Sequence, residues 1–159
     1  GLGAIHKLAS SNDINNVFLV RRNDLVILGS VSGRSRDIVE GAILARKRGI
    51  TTVGLTSMTQ TTAAIPDHPS GQLLKDVVDY LLDIGGVAGD AMLDIAGVDG
   101  RVCPSSGISA AAVTWAVMAE TVALLAASRK PPTVYTSVNV PGGREAYDRQ
   151  LQRLRSQGY

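Results

Sequence analysis

The stretch Leu25 to Ala45, LVILGSVSGRSRDIVEGAILA, decides the fold. It opens on four consecutive apolar residues, Leu25-Val26-Ile27-Leu28, which read as a buried strand. It turns through Gly29-Ser30-Val31-Ser32-Gly33-Arg34-Ser35 and then takes on helical periodicity. Ile38, Ala42 and Ala45 share one face, with Val39 and Ile43 beside them, while Arg36, Glu40 and Lys47 lie on another. The helix is predicted from about Ser35 to Arg48, with Gly49 as its stop. A strand, a loop of hydroxyls and glycines, and a helix start make a good anion holder. The first helical turn leaves N–H groups unpaired at the positive end of the helix dipole. Serine hydroxyls add donors, and glycine lets the backbone approach a ligand closely. A capped helix start with a tight turn needs one Ser and one Gly. Ser30, Ser32 and Ser35 exceed that need and point to a bound phosphate group. Arg34 either adds charge-assisted hydrogen bonds to the same anion or faces solvent.

Working outward, TTVGLT at residues 51–56 reads as a second strand. Strand, helix and strand with short connections form a right-handed βαβ unit with parallel strands. Thr56 and Ser57 close that second strand, at the carboxyl end where open parallel sheets take ligands. They are either an ordinary turn cap or ligand contacts. Upstream, residues 1–8 read as a short helix or the end of one. Gly1-x-Gly3 has no strand before it and is weak as a nucleotide fingerprint. Residues 10–16 are turn-like, and 17–20 form an apolar run too short to arbitrate.

Downstream, residues 57–71 form a Ser/Thr/Pro-rich loop that holds His68. Residues 73–77 are amphipathic, and 77–84 read as a further strand or edge, broken by Gly85-Gly86. Residues 91–95 and 101–103, joined at Asp99-Gly100, read as a hairpin added antiparallel to the sheet. Ser105 and Ser106 are natural caps for a long Ala-rich helix over about 108–128 and are either that or a second set of ligand contacts. This helix is as long as a membrane span, but Ser109, Thr114, Glu120 and Thr121 interrupt it, so it is expected to be buried against the sheet. Residues 133–140 are expected to be extended and 144–155 to form a polar surface or subunit-contact helix.

At 159 residues the chain is expected to be one domain, 1–159, and its 45% hydrophobic content is ample for a core. A net charge of +2 with dispersed basic residues argues against nucleic acid, and an aromatic content of 4% against a base-stacking surface. The single cysteine, Cys103, excludes an intrachain disulfide and fits a reducing compartment. Lacking a basic region followed by an apolar one, the N-terminus does not read as a signal peptide, and a cytoplasmic location is expected. The chain begins without Met, inside what reads as an element, and is expected to be N-terminally incomplete. No His-Glu-x-x-His, Cys-x-x-Cys or Gly-Lys-Ser/Thr occurs, so neither a metal nor a cofactor is expected.

The run Ser30-Val31-Ser32-Gly33-Arg34-Ser35, followed by an Ala-containing helix, Arg48-Gly49 and Val53-Gly54-Leu55-Thr56-Ser57, resembles the sugar isomerase (SIS) domain. The resemblance continues through His68-Pro69-Ser70-Gly71, Val77-Val78-Asp79, Gly89-Asp90, Pro104-Ser105-Ser106 and Ser137-Val138-Asn139-Val140, which look like the uncharacterised bacterial SIS proteins of about 240 residues. It implies a three-layer α/β/α sandwich with a mainly parallel, Rossmann-like sheet. It also implies that the serine loop holds the phosphate of a sugar phosphate and that sites are built in homo-oligomers. Nucleic acid and membrane are not expected partners. Such a domain begins with helices and a first strand bearing its own Gly/Ser-rich loop, which this chain lacks, so part of the ligand site is expected upstream of Gly1.

Aldose–ketose isomerisation, the leading reaction the resemblance implies, needs a base to move a proton between adjacent carbons and an acid to open the ring. The candidates are Glu40, His68 and Glu120. Glu40 follows the phosphate loop by one turn, with Arg36 four residues before it on a solvated face as the plainer alternative. His68 lies in a loop that could reach the site or could simply be exposed. Glu120 is the sole acid between Asp99 and Glu145, and burial would fit it for a base. The rival readings are an etherase or lyase of the muramic acid 6-phosphate type, and a non-catalytic phosphosugar sensor.

Overall fold

The apolar run at Leu25 enters a four-stranded sheet because its backbone finds partners on both sides. β1 (Ile5–Leu8), β2 (Leu25–Gly29), β3 (Thr51–Thr56) and β4 (Tyr80–Asp83) lie in that order, all parallel. The computed structural model describes residues 5–8, 22–129 and 132–156, with residues 5–8 given as backbone alone. Leu25 pairs with Thr51 and Gly29 with Leu55, so β2 and β3 end level with each other and release their following loops at the same edge. The architecture is α/β with a mainly parallel sheet, as the sequence predicts.

Between β2 and β3, α1 (Arg36–Lys47) crosses one face of the sheet. Its buried stripe of Ile38, Val39, Ala42 and Ala45 packs with Val26 and Leu28 of β2 and with Leu74 and Val77 of α3 (Leu74–Val77). Each large aliphatic side chain so buried contributes roughly 1.5–3 kcal/mol. The helix ends where the sequence places its stop. Arg46 and Lys47 complement the dipole in the last turn, and Gly49 takes φ +71°, a conformation that glycine adopts at little cost.

Asp79 ties the starts of β3 and β4 to α1. Its Oδ2 accepts from both the N–H and the hydroxyl of Thr52, each at 2.9 Å, and its Oδ1 pairs with Arg46 Nε at 3.0 Å. Burial pushes this carboxyl up, but the Thr52 bonds and the Arg46 charge outweigh it and hold it below the usual carboxylate range. A depressed folded pKa means that the stabilisation is present above the unfolded value and lost as pH falls through the folded one. Asp79→Ala is therefore expected to cost about 2 kcal/mol at neutral pH. The gap between the urea unfolding curves of wild type and variant should close as the pH drops below about 4.

Several expectations need correction. Residues 5–8 form a strand, not a helix, because parallel pairing with β2 satisfies a segment too short to close helical turns. The readings of Gly1-x-Gly3, 10–16 and 17–20 lie outside the described residues. The loop after β3 contains a helical turn, α2 (Met58–Thr61). The predicted hairpin exists as β5 (Ala91–Leu93) and β6 (Val102–Pro104), but as a separate two-stranded sheet. The chain leaves β4 through Gly85 and Gly86, both at positive φ, and this turn carries it away from the parallel ladder.

The long helix α4 (Ser106–Ala127) is present over 22 residues, but none of them is buried. Trp115 is 73% and Leu124 62% exposed. Its apolar surface finds no counterpart among the described residues. By length and composition α4 is apolar enough to cross a membrane.

The chain divides into two units, Gly1–Thr114 and Trp115–Tyr159. The second holds the end of α4, an irregular segment and α5 (Gly143–Ser156). Residues 133–140 make no strand ladder, and 138–140 turn. The segment is pinned instead by Gln150, whose Oε1 accepts from Thr136 N–H at 2.9 Å and whose Nε2 donates to the Val134 carbonyl at 2.6 Å. Tyr135 and Tyr147 pack with ring centroids 5.7 Å apart.

Candidate functional site

The carboxyl ends of β2 and β3 carry the serine loop. Gly33 N–H donates to the Ser30 carbonyl at 3.0 Å, closing a tight turn, and Gly33 takes φ +66°. Beneath it, Thr56 and Thr61 share a 2.6 Å hydroxyl–hydroxyl bond, and the Thr56 hydroxyl donates to the Val31 carbonyl at 3.0 Å. Both threonines are fully buried. Through these bonds the Thr56 side chain props the loop from beneath.

Above this base the hydroxyls of Ser30, Ser32 and Ser35 are half-buried and have no hydrogen-bond partner among the described residues. Ser35 sits at the N-cap position of α1 but makes no side-chain cap bond. The first bond of the helix runs from Val39 N–H to the Ser35 carbonyl, so the N–H groups of Arg36, Asp37 and Ile38 precede its ladder. The loop thus carries three hydroxyls with unspent donors directly before an open helix start.

Ser32 and Arg34 line a cleft of about 420 Å³, together with Thr59 and Gln60 of the α2 turn, Ile65, and Ala88 and Gly89 of the loop after β4. Thr59 and Gln60 are not predicted from the sequence, and only their place just after the Thr56-Ser57 strand end hints at them. A second cleft of about 420 Å³, lined by Arg46, Thr51, Asp79 and Tyr80, lies at the opposite strand ends. Its opposite charges, Arg46 and Asp79, are paired with each other.

Arg34 is held in an exposed ion pair with Asp67. Its Nε donates to Asp67 Oδ2 at 3.0 Å, and a second guanidinium nitrogen meets Oδ1. The hydrogen bond from Arg34 holds the Asp67 carboxyl below the usual carboxylate range. One residue on, His68 Nε2 lies 2.8 Å from Glu40 Oε2, across 28 positions of sequence. With the Leu74 N–H donating to the Gly33 carbonyl at 2.8 Å, these contacts fasten the 65–74 segment onto the serine loop and α1. Glu40 is paired with His68 and not with Arg36.

The remaining candidates are placed differently. Ser57 is 1% exposed and its hydroxyl has no partner among the described residues. Ser105 and Ser106 cap α4 through Asp90. Asp90 Oδ1 accepts from the Ser105 hydroxyl at 3.0 Å and the Ser106 N–H at 2.8 Å, and Oδ2 accepts from the Ser106 hydroxyl at 2.6 Å. The Ser106 hydroxyl, then its N–H and Ser105, hold the Asp90 carboxyl below its ordinary range against desolvation. A carboxylate of the chain itself occupies that helix start. Glu120 is exposed on α4, so the burial that would fit it for a base is not found, and it belongs to the second unit.

Residues 5–66, which contain β1 to β3, the serine loop and α1, match the family model described as SIS domain. Over that stretch the chain is similar to the SIS domain. It is similar to bacterial UPF0309 proteins. One from Geobacillus thermodenitrificans is 32% identical over 136 residues, covering 86% of this chain and 55% of that protein. Another from Listeria monocytogenes is 35% identical over 123 residues, covering 77% and 53%. A third, from Streptomyces avermitilis, is 34% identical over 133 residues, covering 84% and 53%. The chain spans about half the length of these curated relatives.

Proposed function

We propose that this chain binds a phosphorylated sugar with its phosphate on the serine loop and serves an aldose–ketose isomerase. The observation that carries the binding is the unspent state of the Ser30, Ser32 and Ser35 hydroxyls at an open helix N-terminus, beside a cleft of suitable size. A structural cap would have used at least one of them. The Glu40–His68 pair supports the chemistry. Glu40, 41% exposed, is the base that takes the proton from C2 of an open-chain aldose phosphate and returns it to C1 through an enediol. A proton moves between the two oxygens in the same step, so no other reactant is consumed. The protein acts in the cytoplasm as a homo-oligomer. The exposed apolar residues of α4, Trp115 and Leu124 among them, are the surface that subunit contacts would cover.

The test is incubation with a panel of aldose and ketose phosphates followed by NMR spectroscopy. Interconversion of one pair is expected. Release of lactate from muramic acid 6-phosphate would replace isomerisation by the etherase reaction. Tight binding without turnover of any sugar would leave a sensor.

A further inference from the structure

The loop Asp67–Gly71 does more than bring His68 to Glu40. Both ring nitrogens of His68 are engaged. The Ser70 backbone N–H, which can only donate, points at His68 Nδ1 from 3.2 Å. The Ser70 hydroxyl lies 2.7 Å from the same nitrogen, and its oxygen accepts from the Gln72 N–H at 3.3 Å. One assignment satisfies every contact. Nδ1 is unprotonated and accepts from Ser70 twice, so in the neutral ring Nε2 carries the proton and donates it to Glu40 Oε2 at 2.8 Å.

We infer that Ser70 is a positioning residue: it locks His68 into the Nε2–H tautomer, and His68 in turn fixes the Glu40 carboxylate. The relay runs from loop to helix, Ser70 to His68 to Glu40. His68 is only 10% exposed, so it stands behind the carboxylate. Glu40 spends Oε2 on the imidazole and keeps Oε1 as the oxygen that meets substrate. With the opposite tautomer, Nδ1–H would face the Ser70 N–H, donor against donor, and Nε2 would have no proton for Glu40. The catalytic role of Glu40 rests on the isomerase reading above; the tautomer lock does not.

The experiment therefore has two independent readouts. Nitrogen-15 NMR of the two histidines, His6 and His68, is recorded at a pH where imidazole is neutral, with His68→Gln assigning the signals. In wild type, His68 is expected to show a protonated Nε2 and an unprotonated Nδ1. Ser70→Ala removes the hydroxyl donor but keeps the backbone N–H, so a minor Nδ1–H fraction should appear beside the Nε2–H form, and Ser70→Thr should suppress it again. On the phosphosugar turned over, Ser70→Ala is expected to lower kcat about tenfold with KM unchanged, again rescued by Ser70→Thr. A protonated Nδ1 in wild type, or a tautomer mixture indifferent to Ser70→Ala, overturns the inference. An unchanged kcat in Ser70→Ala overturns the role in turnover. Absence of turnover by wild type overturns the isomerase reading, while the spectrum still decides the tautomer lock.

Discussion

Gly33→Ala is expected to destabilise the chain by about 3 kcal/mol and to remove its response to phosphate ligands. Gly33 holds φ +66°, where an L-residue costs roughly 1–2 kcal/mol. The new Cβ would also lie 3.2 Å from the hydroxyl oxygens of both Thr56 and Thr61. Those oxygens cannot give way cheaply, since they belong to fully buried side chains bonded to each other at 2.6 Å. Moving them would break the bond from Thr56 to the Val31 carbonyl, at a further cost of about 1–2 kcal/mol. The same shift would disturb the turn that presents Ser30, Ser32 and Ser35. Urea unfolding measures the first effect, and thermal shift with a sugar phosphate the second. A variant that unfolds with wild type and still responds to ligand would contradict the placement of this glycine over its threonine base.

Glu40→Gln is expected to reduce turnover by about 10²- to 10⁴-fold while leaving phosphosugar affinity nearly intact. Glutamine keeps an oxygen that can accept from His68 Nε2–H, so the 2.8 Å link and the seating of the 65–74 segment should survive. What is lost is the basic oxygen. Glu120→Gln, at an exposed position of the second unit, is the contrasting change and should leave turnover unaltered. Equal kcat for wild type and Glu40→Gln, or a collapse in the Glu120 variant, would move the base elsewhere.

The unit from β2 through α1 to β3 was legible because each of its signals is local. A buried apolar run, a helical period, a glycine stop and a loop of hydroxyls all lie within about thirty residues of one another. The seating of His68 on Glu40 depends on a loop folding back over 28 positions, and neither residue announces its partner in the sequence. Gly89-Asp90 was legible as a motif but not as the cap of α4, because Asp90 reaches Ser106 from 16 positions away. The reading of α4 as a core helix failed for a related reason. Apolar composition calls for a covering surface but does not say which residues supply it, and the described residues do not. Thr56 stayed open between turn cap and ligand contact because a hydroxyl at a strand end serves equally well as either; its bond to Thr61, on a turn not legible in the sequence, sets its side chain beneath the loop.

The central claim is that residues 30–35 hold the phosphate of a sugar. Thermal unfolding of wild type and of the Ser30→Ala, Ser32→Ala, Ser35→Ala triple variant, each with a panel of aldose and ketose phosphates, free phosphate and sulfate, tests it most directly. Ligand at about a hundred times its Kd should stabilise wild type by about 2.7 kcal/mol, raising Tm by roughly 5–10 °C. The triple variant, whose changed hydroxyls make no hydrogen bond among the described residues, should unfold near wild type without ligand and show no shift with it. Silence of wild type toward every phosphosugar, phosphate and sulfate, or an equal shift in the triple variant, would contradict the claim.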